Sequence, residues 1–277
     1  MYFDIAMPLT LFATTLASVL LSEKLEDKLK VVFEERQFTS KDATLLVILM
    51  SVVITLVATS SRYGFINPLM VLFLFSCSAL LFTFAYLLLD KRWYLAMLPP
   101  AFFIVLYALL RDSLVWSLYL MNLYAVIFAI LATLYLGSIF TWKATWVFAI
   151  LITIIDVILV FVTKSMIEAA KAGLELKLPI FVIIPTFPVV GKIGLGLGDF
   201  FLAGLLSVQL LKKYGKKYAT LSVVTISAAF FIFELYSFNY QPQWFPATLI
   251  VISGWLPIAL WRSRYEIKRM LNSDRGY

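Results

Sequence analysis

Asp156 lies in the run Ile152-Thr153-Ile154-Ile155-Asp156-Val157-Ile158-Leu159-Val160, and Asp199 follows Gly194-Leu195-Gly196-Leu197-Gly198 and precedes Phe200-Phe201. An ionisable side chain inside a bilayer costs at least about 2.5–3.5 kcal/mol, so each aspartate asks for a chemical reason. Two carboxyl groups held close cannot both ionise; they share one proton. The charged member can then take a proton from water while the protonated member donates to a peptide carbonyl oxygen, which is aspartic protease chemistry. The same proton-sharing pair could serve instead as a relay in a proton-coupled transporter, and the residues alone leave that alternative open.

Composition removes most other hydrolytic devices. The 277 residues include no histidine, which excludes serine–histidine and cysteine–histidine nucleophiles as well as histidine metal ligation. Cys77 is the only cysteine, so an internal disulfide and a cysteine-based metal centre are excluded too. No metal and no cofactor are expected. Hydrophobic residues make up 62% of the chain and charged residues 14%, against about 45–50% and about 25% in soluble domains. This is the composition of a membrane protein, and its net charge of +7 has to be read by position before nucleic acid is considered.

A helix needs about 20 mostly apolar residues to cross a hydrocarbon core of about 30 Å. Such runs fall near 2–21, 43–60, 65–89, 93–110, 114–140, 145–163, 190–211, 218–238 and 243–261. They predict an all-α membrane protein of nine transmembrane helices in one polytopic domain, 1–277. Within it, 1–163 holds spans 1–6, 164–189 an outer connection, 190–261 spans 7–9, and 262–277 a basic tail. Seventeen Lys and Arg follow odd-numbered spans, among them Lys24, Arg36, Lys91, Lys143, Lys212, Arg262 and Arg275, against five on the other side. Cytoplasmic loops retain such residues. The expected orientation therefore has the N-terminus outside and the C-terminus cytoplasmic, in a multi-pass protein of the cell membrane with the lipid bilayer as partner and no nucleic acid.

Antiparallel spans 6 and 7 bring the aspartates to one depth. Asp156 precedes Lys164 by about 12 Å of helix and Asp199 follows Lys192 by about 10 Å. Gly194 and Gly198 have the small-xxx-small spacing that lets transmembrane helices approach closely, so a thin face of span 7 is expected beside Asp199. Asp4 and Glu234 also fall in apolar runs, but near the expected outer ends, where a carboxylate is expected to reach water.

With an aspartate in span 6, Gly196-Leu197-Gly198-Asp199 in span 7 and nine spans in all, the chain resembles the presenilin and signal peptide peptidase family of intramembrane aspartyl proteases, most closely in an archaeal form. The resemblance implies a presenilin-like fold, catalytic roles for Asp156 and Asp199, and substrates that are single-span transmembrane proteins or signal peptides. The family's last-span Pro-Ala-Leu motif reads here Phe245-Pro246-Ala247-Thr248, and its frequent tyrosine before the first aspartate is here Ile155. Pro246, Ala247 and Thr248, with Gly196, Leu197 and Gly198, are accordingly expected to shape the substrate site. Prepilin peptidases share a Gly-x-Gly-Asp motif but place the partner aspartate early in a shorter chain.

Residues 164–177 have the four-residue apolar spacing of a short interfacial helix. The stretch Leu178 to Pro185 is too short to cross a bilayer, and its β-branched residues between prolines predict an extended segment. The resemblance implies that a substrate could add to it as a strand, with Ile183 at the contact. Residues 22–42 read as a cytoplasmic amphipathic helix. The tryptophans, Trp93, Trp116, Trp142, Trp146, Trp244, Trp255 and Trp261, read as anchors at the membrane interfaces.

Overall fold

The computed structural model describes residues 3–33, 37–63, 67–89, 92–188, 191–240 and 245–273. Of the charges that set the expected orientation, Arg36, Lys91 and Arg275 lie outside the described residues, as does Trp244. The chain is mostly helical. Helix α1 spans Ala6–Phe33, α2 Ser40–Arg62, α3 Asn67–Leu88, α4 Trp93–Ala96 and α5 Leu98–Leu110. A π-helical turn, Trp116–Leu120, leads into α6 (Met121–Ile139), and α7 (Trp142–Val157) runs on through a second, Ile158–Val162. There follow α8 (Ser165–Glu175), strands β1 (Phe181–Pro185) and β2 (Lys192–Gly196), then α9 (Leu197–Tyr214), α10 (Lys216–Tyr240) and α11 (Ala247–Ser273).

Among the described residues, seven helical stretches are long and apolar enough to cross a membrane: 6–25, 40–61, 70–88, 93–110, 116–139, 142–162 and 216–240. They correspond to expected spans 1–6 and 8. Their ends are marked by local chemistry. Thr39 caps α2 in a reciprocal box with Asp42, Thr141 caps α7 by accepting from the Ala144 N–H, and Pro99 and Pro100 occupy the first turn of α5. Gly215, at φ +89°, separates α9 from α10 with a backbone conformation few other residues adopt.

Helix α9 is the axis of the structure. Every residue from Phe200 to Leu210 is buried, and α1, α6, α7, α10 and α11 pack around it. Small residues let its neighbours close in: a Cβ at Gly204 would meet Thr133 Oγ1 of α6 at 2.5 Å. Buried polar groups then find partners across the helix pairs. Gln209 donates to the Gly137 carbonyl at 2.9 Å, and the Ser207 and Ser222 hydroxyls are 3.1 Å apart.

Several expectations are corrected. The mostly helical fold expected is what the chain adopts, with the addition of an antiparallel hairpin in which Ile183 of β1 lies opposite Gly194 of β2. Expected span 7 starts as this strand, and the helix begins only at Leu197. Gly194 and Gly198 are therefore not one turn apart on a helix, and the 10 Å helical depth reckoned from Lys192 does not apply. The residues expected to form a separate helix after span 1 instead continue α1 as far as Phe33. Neither Asp4 nor Glu234 reaches water; they are 0% and 1% exposed. Trp116 and Trp255 are fully buried core side chains and not interfacial anchors. Two features stand as expected: the extended segment is β1, and the short helix within 164–177 is α8.

Candidate functional site

The hairpin positions the site. Leu176 and Lys177, at the end of α8, are tied to the α5–α6 region: the Tyr107 hydroxyl donates to the Leu176 carbonyl and the Trp116 indole to the Lys177 carbonyl. On the surface Lys177 also reaches Asp112 at 2.9 Å, which holds the Asp112 carboxyl below the usual carboxylate range. At the far end of the hairpin, Asp4 accepts from the Phe187 N–H at 2.7 Å and from the Ala6 and Met7 N–H groups, so it also caps α1.

One edge of the hairpin is closed. The Asn122 side chain of α6 donates to the Ile183 carbonyl and accepts from the Ile183 N–H, both at 2.7 Å, as a neighbouring strand would. Ile183 thus has no backbone group left for a partner, which corrects its expected part as the pairing residue. Because both its groups point away from β2, Ile183 and Gly194 form a non-hydrogen-bonded pair, and the Gly194 N–H and C=O face outward from β2. Among the described residues no third strand pairs with β2, and Gly194 is exposed.

β2 runs without a loop into α9. Gly196 is the last strand residue and the N-cap of the helix, and the Leu197 N–H still donates to the Ile180 carbonyl at 2.8 Å. Asp199 then sits in the first turn, with its carboxyl turned back towards the Gly196 N–H. A Cβ at Gly196 would lie 3.1 Å from Asp199 Oδ2, so glycine is what leaves the carboxyl in place. A Cβ at Gly198 would meet nothing within 4 Å; Gly198 borders open space, whereas Leu197 turns into the core.

Asp156 approaches from the last turns of α7 and is buried. It and Asp199 are near enough to act directly on one another electrostatically. The third element is the start of α11. Pro246 and Thr248 are buried, Ala247 is half-buried, and Thr248 Oγ1 donates to Asp156 Oδ2 at 2.7 Å. Phe245 packs tilted against Phe233 with centroids 4.7 Å apart and meets Phe161 edge-on at 6.5 Å, walling this side with aromatic rings. Asp156, Asp199, Gly196 and Thr248 are thus brought together from three parts of the chain, with Ile183 one strand away. Among the described residues, no three or more His, Cys, Asp or Glu side chains gather as a metal would need.

Sequence reasoning missed Asn122 and the donor role of Thr248. Asn122 is a polar residue within an apolar run, a detectable signal; Thr248 stood out only as a departure from a motif. Compared with family models and with curated proteins, the chain matches none.

Proposed function

We propose that the chain is an intramembrane aspartic endopeptidase of the presenilin and signal peptide peptidase type, cleaving peptide bonds within transmembrane segments. The observation that carries this is the meeting of Asp156 and Asp199 beside open space at Gly198, Asp199 in the first turn of α9 and Asp156 held by Thr248 at the start of α11. One carboxylate takes a proton from water as its oxygen adds to the scissile carbonyl carbon, while the other carboxyl gives its proton to the carbonyl oxygen. No metal, cofactor or histidine is needed for that step.

In this reading α9 and α11, about 27 and 40 Å long, cross the membrane along with the seven apolar helices, for nine passes. The excess of Lys and Arg after odd-numbered spans favours an outside N-terminus and a cytoplasmic C-terminus in the cell membrane. Substrates are then single-span proteins or signal peptides with a cytoplasmic N-terminus. A helical peptide bond is shielded by its own hydrogen bonds, so the substrate has to be drawn out. The outward N–H and C=O of Gly194, five residues before Asp199, offer an extended segment a strand to pair with.

The test is cleavage of a model single-span substrate by purified wild type, Asp156→Asn and Asp199→Asn. Cleavage by wild type and by neither variant is expected; cleavage persisting in either variant refutes the two-aspartate mechanism. Proton-dependent flux in liposomes without cleavage would make the pair a transporter's relay.

A further inference from the structure

The first turn of a helix carries N–H groups with no intrahelical partner, and a carboxylate there gains both hydrogen bonds and the positive end of the helix dipole. Both aspartates use such an end. Asp199 lies in the first turn of its own helix, α9, with its carboxyl turned back beside the Gly196 N–H. Asp156 is brought from α7 to the start of α11, where Thr248 is the second residue; it accepts from the Thr248 hydroxyl at 2.7 Å and lies beside the Thr248 backbone N–H. The donor sets are unequal by that hydroxyl, and Thr248 and Asp156 are 7% and 8% exposed, so water competes little for the bond. Where two carboxyls share one proton, negative charge settles on the one with more donors.

We propose that Thr248 is a positioning residue that makes Asp156 the charged member of the pair, the one that deprotonates the attacking water, and leaves the shared proton on Asp199, the one that protonates the scissile carbonyl. In the second half-reaction Asp156 returns its proton to the amide nitrogen, the C–N bond breaks, and a hydroxyl proton of the tetrahedral diol returns to Asp199, releasing acid and amine. The inference deepens the protease reading and rests on it. The threonine that breaks the Pro-Ala-Leu pattern becomes a working part of the pair.

The experiment compares full-length wild type with Thr248→Val, which keeps the shape and loses the hydroxyl, with Thr248→Ala, which loses the hydroxyl without new bulk, and with Thr248→Ser, which keeps it. On a single-span substrate, Val and Ala should lower kcat roughly 10- to 100-fold with KM nearly unchanged, and Ser should restore most of the rate. Infrared spectra supply a readout free of activity: the carboxyl band absent from Asp156→Asn should shift in Thr248→Val and return in Thr248→Ser. A wild-type kcat in both Val and Ala, no rescue by Ser, or an unshifted band overturns the role of Thr248. A wild type that cleaves nothing overturns the protease reading and the assigned roles together, and the infrared arm separates that failure from a missing contact.

Discussion

Asn122→Ala tests whether one amide holds the hairpin. Ile183 gives both its backbone groups to Asn122 at 2.7 Å, in a half-buried position where water replaces the lost partner only in part. Two hydrogen bonds at a net of about 1 kcal/mol each put the loss at about 2 kcal/mol, and the desolvation of any group left dry raises it towards 3–4 kcal/mol. The loss is local, since β1 is otherwise held by β2 and by its termini. Hydrogen exchange in detergent micelles should therefore show the Ile183 amide losing about 30-fold or more in protection, while amides within Phe200–Leu210 keep theirs. Substrate cleavage should fall as well, because β1 sets β2 and β2 sets Asp199. Unchanged exchange at Ile183 would show that the amide clamp contributes nothing, and unchanged cleavage would detach the hairpin from the site.

Two further substitutions probe the carboxyls of Asp199 and Glu234. Gly196→Ala puts a methyl 3.1 Å from Asp199 Oδ2 and should lower cleavage by about 100-fold with little change in melting temperature; retained cleavage would mean the Asp199 carboxyl has freedom to move aside. Glu234 has both carboxyl oxygens buried without a hydrogen-bond partner among the described residues and the Asp4 carboxyl close by. Glu234→Met should therefore stabilise the protein by about 1–4 kcal/mol in thermal unfolding, and a lower melting temperature would reveal a stabilising role for this carboxyl.

The helices long and apolar enough to cross a membrane were legible because bilayer crossing would impose a length and a polarity that no other element shares. Strand β2, Lys192–Gly196, was not: two glycines and two apolar residues carry no period, and they run directly into the apolar start of α9, so strand and helix read as one span. Asp156 and Asp199 were legible from the cost of charge in an apolar run. Asp4 and Glu234 were misread by the same rule, since nearness to the end of a run gives depth but not what packs around the carboxyl. Thr248 meets Asp156 across 92 residues, and nothing local in either sequence announces the bond. Trp116 was placed by its position near a helix end, whereas its indole N–H is satisfied by Lys177, which lets the ring bury completely.

Gly196 belongs to β2 and to α9 at once, so no flexible joint lies between the hairpin and Asp199. Under the proposed activity, a chain docked along β2 would be indexed to the carboxyl by a fixed count of backbone steps, about 3.3 Å each. Such an enzyme measures more than it reads: the cut would fall at a set distance from where the substrate leaves its helix, and side-chain preference would be secondary. Sliding a substrate's helix-breaking residue by two positions should then move the cleavage point by two.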